Sequence, residues 1–429
     1  MFEFELSVTP VAALAANEDH VFRWNGNSST STIASNIGPL LGDFGPVRDR
    51  NIDFVRIASG VLAADRSAPR SGSLSRWNQR EISLTVEVTE VDPWKEVGTD
   101  LEALLGFLTG DTWHLGFRRG EATPEQVGRV GIDADRVVLL SGGADSAVGG
   151  LLSALELGKS SKKHVLVSHW SSSTLSPIQS RVANTIERLA PGASSDHIKV
   201  HHSRSRTALT GKRYGTEHST RSRSLLFISL GLAVASVNEV PLWIPENGYA
   251  SINPPLSFSR RGSLSTKTTH PKFFQDLRAI LERAGAHFDL MNPFADLTKG
   301  EMFSRVVGAV GMQQASEFLG DTTSCSHTGA RSYGISPKVA CGVCFGCVLR
   351  RASFHAANLT DPTTYLIPAD QKQVAWLEDK TVIPAMKDFL GEDFGVAQLA
   401  RLQIPSNILL AQADKLVQRG RAELRGLGL

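Results

Sequence analysis

Cysteine is scarce in this chain and confined to one place. Of 429 residues only four are cysteines, and all four lie between positions 325 and 347. No cysteine elsewhere can pair with them, so the disulfide framework of a small secreted protein is excluded. Long apolar runs are missing as well. The longest, Leu225 to Val237, is interrupted by Ser229, Gly231 and Ser236 and is too short to span a bilayer, so it reads as a buried helix. The chain starts Met-Phe-Glu-Phe-Glu-Leu, with neither the basic stretch nor the apolar core of a secretory leader, and a cytoplasmic protein is expected. Charge of one sign is lacking too. The 45 Lys and Arg against 43 Asp and Glu leave a net charge of +2, which gives no basis for a membrane binder or for direct nucleic-acid binding. The remaining composition is that of a globular protein, and the length allows two or three domains.

Against this plain background one hexapeptide stands out, Ser141-Gly142-Gly143-Ala144-Asp145-Ser146. It follows a β-branched apolar run, Arg136 to Leu140, and precedes a helical pattern from Ala147 to Glu156. A strand, a glycine turn and a helix start aim backbone N–H groups at an anion. The glycines let phosphate oxygens approach the backbone, and Ser141 and Ser146 add hydroxyl donors. Asp145 would repel a bare phosphate, so it is read as a ligand for phosphate-bound Mg²⁺. Gly158-Lys159-Ser160 has the ending of a different phosphate loop, but Ser153 stands where that loop needs its first glycine, and Gly158 is expected to cap a helix.

The cysteines form Cys325 followed by Cys341-Gly-Val-Cys344-Phe-Gly-Cys347. Two overlapping C-x₂-C steps place three thiolates around one point, and Cys325 closes the tetrahedron: the ligand count of a structural Zn²⁺ site. No sulfur is then left over as a nucleophile. His327 and His355 flank the cluster and are read as ordinary side chains.

The hexapeptide resembles the SGGxDS fingerprint of the N-type ATP pyrophosphatases, which cleave ATP between its α- and β-phosphates. Followed about two hundred residues later by the cysteine cluster, it resembles the QueC family of 7-cyano-7-deazaguanine synthases, from about Val137 to Ala357. Arg221-Ser-Arg223, Leu297-Thr-Lys299-Gly-Glu301 and Arg350 sit where that family has comparable residues. Ser224 departs from the family's Asn, and Glu246 to Pro255 does not look like its substrate loop. The enlarged layout is similar to the QueC-like proteins of bacterial antiphage systems, the QatC group. The resemblance implies ATP and 7-carboxy-7-deazaguanine as substrates, Mg²⁺ and Zn²⁺ as metals, and a possible homodimer. It implies adenylation of the substrate carboxylate, with Asp145, Lys299 and Arg223 stabilising charge. The acceptor it favours is the N-terminal amine of a partner protein; ammonia, giving a nitrile, is the alternative. A non-catalytic nucleotide-binding assembly module is the reading from outside enzymology.

The expected fold class is α/β, a doubly wound parallel sheet of the adenine nucleotide α-hydrolase-like, N-type ATP pyrophosphatase kind, with a four-cysteine zinc knuckle. Three domains are expected: a β-containing accessory domain over 1–130, a QueC-like ATP pyrophosphatase domain over 131–360 and a helical extension over 361–429. In the first, Glu81 to Thr89 alternates as a strand does. In the core, strands are expected at 137–140, 164–169, 197–201 and 242–245, and helices at 146–157, 177–189, 222–238, 272–284 and 299–310. Ligands of such sheets bind beyond the strands' C-terminal ends, so Ser141–Ser146, Ser168 and His169, the start of the Arg223 helix and Glu246–Asn253 are expected to face one cleft, with Ser168 and His169 receiving the adenine. The basic segment carrying Arg204, Arg206, Lys212 and Arg213 has two readings, a flap over the phosphates or a solvated surface loop.

Overall fold

The computed structural model describes the chain apart from residues 10–17, 25–28, 37–44, 72–78, 121–132, 171–174, 194, 219, 255–266, 326–335, 337–338, 367–376, 379–380 and 429. Two sheets organise it. The larger has the order β10-β9-β6-β7-β8-β3 and is built from β3 (Ile33–Ser35), β6 (Arg136–Leu139), β7 (His164–Trp170), β8 (Ser195–Arg204), β9 (Leu242–Trp243) and β10 (Leu290–Met291). Every pairing in it is parallel except that of β3, which runs antiparallel along β8.

The side chains of β6 show why this sheet is covered twice. Val137 and Leu139 point into one apolar core and Val138 and Leu140 into another, as a period of two requires. The first core is filled by Arg223–Asn238 and Pro271–Arg283, and the second by Ala144–Gly158, Leu175–Leu189 and Lys299–Val310. This mixed α/β arrangement with parallel strands fits a nucleotide-hydrolase-like fold. The expected helix at 146–157 extends to Gly158, with Lys159 as its cap residue.

The smaller sheet, β2-β1-β4-β5, is wholly parallel and comprises β1 (Phe2–Ser7), β2 (Val21–Arg23), β4 (Glu81–Val88) and β5 (Thr112–Arg119). The helix Asp49–Ser67 lies between the sheets, with 16 of its 19 residues buried. Its Phe54, Ile57 and Val61 share one continuous core with Leu84 and Val86 of the small sheet and Val137 and Val165 of the large one. Each such fully buried side chain contributes about 1.5–3 kcal/mol, so the two sheets stabilise each other. The boundary expected near residue 130 lies outside the described residues.

Beyond the core, Ile383–Gly391 and Leu410–Gly426 pack Phe389, Leu416, Val417 and Leu424 against Tyr249, Val348 and Leu349. Among the described residues no helix is long and apolar enough to cross a membrane.

Candidate active site

The strand order fixes where a ligand can enter. From β6 the chain moves outward through β7 and β8, then returns to β9 on the other side of β6. The loops leaving β6 and β9 therefore part company, opening a crevice at the switch point. A cavity of about 580 Å³ lies there, within the range of pockets that enclose small ligands.

Its floor is the β6 loop. Gly142 has φ +88°, the left-handed region that favours glycine, and turns the chain into the 15-residue helix Ala144–Gly158. Ser141 and Ser146 join their hydroxyls at 2.9 Å, and Ser141 Oγ accepts the Gly143 N–H at 3.2 Å, so the loop holds its shape internally. Ser141, Gly143, Ala144, Asp145 and Ser146 all line the cavity. The β9 side closes on it through Pro245, whose Cγ lies only 2.2 Å from where a Cβ on Gly149 would stand.

Asp145 meets Lys299 here, with Nζ 2.8 Å from Oδ2 and both residues over nine-tenths buried. Lys299 is delivered by a helix start whose Thr298 and Glu301 form a reciprocal capping box. Asn247 donates to Asp145 Oδ2 at 3.3 Å and to Glu246 Oε1 at 3.1 Å. Burial tends to raise the Asp145 pKa, but the Lys299 charge and the hydrogen bonds from Glu246, Lys299 and Asn247 outweigh it, and the carboxyl sits below its ordinary value. Glu246 goes the other way: burial, then the Asp145 charge, push it well above the carboxylate range. The Asp145 charge thus favours the protonated form of its neighbour Glu246. Asp145 Oδ1 has no hydrogen-bond partner. A buried carboxylate oxygen left open beside a second carboxyl is a donor set suited to Mg²⁺, so the residues present fit that ion.

Residues flanking the cysteine cluster, Thr323, Ser324, Phe345 and Gly346, also line the cavity. The cluster's four sulfurs lie within 4.8 Å of one another, with Cys341 and Cys347 Sγ 3.8 Å apart, and are compatible with zinc. The backbone N–H of Cys341 points at Cys325 Sγ and that of Cys344 at Cys341 Sγ, at 3.5 and 3.4 Å. This knot holds Thr323 and Ser324 on the cavity, where Thr323 N–H donates to Gly142 O at 3.0 Å. Arg350 is buried and binds Thr322 Oγ1, Leu319 O and Thr363 Oγ1, joining the helix that carries the last cysteine to the same segment. His355 is exposed, and His327 lies outside the described residues.

Other expected residues stand nearby without lining the cavity. Ser168 is fully buried, its hydroxyl bound to Leu140 O at 2.6 Å and to His197 Nε2 at 2.8 Å. His169 is buried beside it, with its carbonyl accepting from Gln179. Arg223 is exposed at the start of its helix, one turn before Phe227, which does line the cavity. The segment carrying Lys212 packs on the N-terminal region: Lys212 and Thr210 bind Asp19, and Tyr214 donates to Val21 O. The sequence reading placed Glu246 and Asn247 on the cleft, where both line the cavity, but gave them no chemical role. Their place directly after a strand, across the switch point from Asp145, is the signal that finds them.

Comparison with known proteins agrees on the core. The chain is 32% identical over 152 residues to a 7-cyano-7-deazaguanine synthase of Myxococcus xanthus, covering 34% of this chain and 55% of that relative. A synthase of Psychrobacter arcticus is 28% identical over 150 residues, 34% of this chain and 49% of its own. Against these two the chain spans about half the length of the relative it matches. A synthase of Desulfatibacillum aliphaticivorans is 26% identical over 249 residues, 54% of this chain and 96% of that relative. These likenesses support the QueC family for the core. No family model and no solved structure matches the chain.

Proposed function

We propose that this chain is an ATP-dependent, AMP- and pyrophosphate-forming C–N ligase acting on a 7-deazaguanine. The observation that carries the reading is the meeting of Asp145, Glu246 and Lys299 at the end of a serine–glycine loop, in one cavity at the switch point. Similarity to 7-cyano-7-deazaguanine synthases supports the substrate class.

The amides and hydroxyls of Ser141–Ser146 would hold the phosphates of ATP, with the helix N-terminus behind them. Asp145 and Glu246 would hold Mg²⁺, which supplies neutralisation of phosphate charge when bound; Glu246 would then be ionised, its proton passing to solvent. In the first step a carboxylate oxygen of 7-carboxy-7-deazaguanine attacks the α-phosphorus. The bond from that phosphorus to the bridging oxygen breaks, and pyrophosphate leaves with the electron pair. Lys299 lies where it can stabilise the charge that builds on the phosphate or carboxylate oxygens. In the second step an amine attacks the acyl carbon, loses a proton and displaces AMP, leaving an amide. The cavity wall that the cysteines hold against Gly142 keeps the phosphate loop in shape and excludes water.

The acceptor we favour is the N-terminal amine of a partner protein, as in the antiphage group that the layout resembles. Supporting this, even the relative matched over 249 residues shares only 54% of this chain, which leaves large regions with no counterpart in a small-molecule synthase. Pyrophosphate release by the purified chain with ATP, Mg²⁺ and 7-carboxy-7-deazaguanine tests the first step. Release that depends on the deazaguanine supports it, and no release under any condition overturns it. A nitrile formed with ammonium alone would favour the synthase over protein conjugation. A mass increase at the N-terminus of a co-expressed partner would favour conjugation.

A further inference from the structure

β8 carries Val200, His202 and Arg204 at alternate positions, so the three share one face of the large sheet. His169 on β7 pairs in parallel with Val200 and lies on that face. Its ring centroid is 6.5 Å from that of His202 and 6.4 Å from that of Phe227. Phe227 is one helical turn beyond Arg223, which therefore opens its helix over the same ground. The last turn of Asp49–Ser67 arrives there as well. Asp65 Oδ2 accepts the backbone N–H groups of Arg221 and Ser222 at 3.0 Å each, and the Arg66 carbonyl accepts the Glu217 N–H at 3.0 Å. Arg66 thus reaches the start of the Arg223–Asn238 helix from the N-terminal region.

Arg66, Arg204 and Arg223 thus gather near two histidines, with the Arg204 guanidinium 4.8 Å from the Tyr214 ring and donating to the Ser205 and Gly215 carbonyls. Among the described residues Arg66, Arg204 and Arg223 have no ion pair with a carboxylate. Arg204 Nε and Nδ1 of His202, which is 4% exposed, have no hydrogen-bond partner. The nearby acids are committed, Asp65 to Arg80 at 2.6 Å and Glu217 to the Arg70 N–H at 2.7 Å. Burial lowers the pKa of His169, His202, Arg204 and Arg223, and cationic neighbours, Arg66 among them each time, lower it further. A set of like charges held together without a counter-ion costs folding free energy.

We propose that this cluster is a phosphate-oxyanion site completed by Arg66 of the N-terminal region. Guanidinium forks suit phosphate oxygens in a bidentate way, and the start of a 16-residue helix adds N–H groups and its positive end. The site does not depend on the Ser141–Ser146 loop binding nucleotide. Its phosphate comes either from the nucleotide's own polyphosphate or from a separate phosphorylated molecule.

Pyrophosphate titrated calorimetrically into the full-length protein is the test, with wild type, Arg66→Gln, Arg204→Gln, Arg66→Lys and Ser141→Ala. The expected result is at least tenfold weaker binding in the two glutamine variants and partial recovery with lysine. Wild-type protein that binds no pyrophosphate overturns the proposal. So does affinity within twofold of wild type in both glutamine variants, and if Ser141→Ala alone weakens binding, the loop is the pyrophosphate site. Phenylglyoxal labelling of wild type, mapped by mass spectrometry, needs no variant: pyrophosphate must protect Arg66, and labelling unchanged by pyrophosphate also overturns the site. Repeating the titration under a saturating non-hydrolysable ATP analogue assigns the source. Lost binding supports the nucleotide's phosphates, and retained binding supports a second ligand.

Discussion

Glu423 Oε2 accepts the backbone N–H of Gly300 at 3.1 Å, while its other oxygen takes the Thr298 hydroxyl. These two residues flank Lys299, so a carboxylate from the C-terminal extension fastens the helix start that delivers the site's ammonium group. Arg419 adds an ion pair to Glu301 at 2.7 Å. Glu423→Ala should cost about 1–2 kcal/mol of stability through the lost hydrogen bonds. It should also lower the turnover number roughly tenfold or more by misplacing Lys299, with a smaller change in the Michaelis constant for ATP. Thermal unfolding and initial-rate pyrophosphate release read the two effects separately.

Glu246 makes stability depend on pH in a specific direction. Its folded pKa lies well above the ordinary glutamate value of 4.5, so its contribution is fully present below that value and is lost as pH rises through the folded pKa. Glu246→Gln removes this dependence. The variant should gain on wild type between pH 5 and pH 8, by up to about 1.4 kcal/mol per pH unit while wild-type Glu246 stays protonated. Urea unfolding of both proteins across that range checks it. A difference between them that does not change with pH would mean that Glu246 is not held protonated.

Lys299→Met strips the buried Asp145 of its cation. Asp145 has a folded pKa below the ordinary aspartate value of 3.8, so the stability it draws from Lys299 is present above that value and lost as pH falls through the folded pKa. The variant should therefore be less stable than wild type by about 3 kcal/mol at pH 7, with the gap narrowing below pH 4. Pyrophosphate release should fall at least a hundredfold, roughly the loss seen when one charge-stabilising donor is removed. Unfolding curves at both pH values and a rate assay at pH 7 measure these outcomes.

Cys344→Ser should abolish tight zinc binding and reach the phosphate loop as well. Zinc content by mass spectrometry is expected to drop from about one ion per chain to none. Because the cluster holds Thr323 against Gly142 O, ATP affinity should weaken together with the loss of metal. A variant that loses zinc but keeps wild-type ATP affinity would separate the cluster from the site.

The readable parts of the sequence were those whose chemistry is local. The strand, loop and helix over 136–158 show in a few consecutive residues, because alternation and a glycine turn are properties of neighbours. The cysteines gather through two short steps, and all four sulfurs come together as their spacing required. Asp49–Ser67 was missed for the opposite reason: buried on nearly every side between two sheets, it has no polar face and so little helical period to detect. The pairing of β1 with β2 and β4 was beyond reach, since parallel partners are chosen by distant contacts. Glu246 looks like any polar residue after a strand until the strand order places it beside Asp145. Lys212, left open between a phosphate flap and a solvated loop, folds onto Asp19, and its neighbour Tyr214 onto Val21, contacts that no local pattern encodes.

β3 is three residues long, yet its partner on β8 is far along the chain; Ser35 and His201 are separated by 166 residues. During synthesis at 5–20 residues per second, roughly ten to thirty seconds pass between the two leaving the ribosome. Throughout that interval the helix Asp49–Ser67 has no large sheet to cover its second side, and its apolar flank is open to the cell. The first third of the chain can therefore finish folding only after the strands of the large sheet begin to form, because the helix shares its core with them.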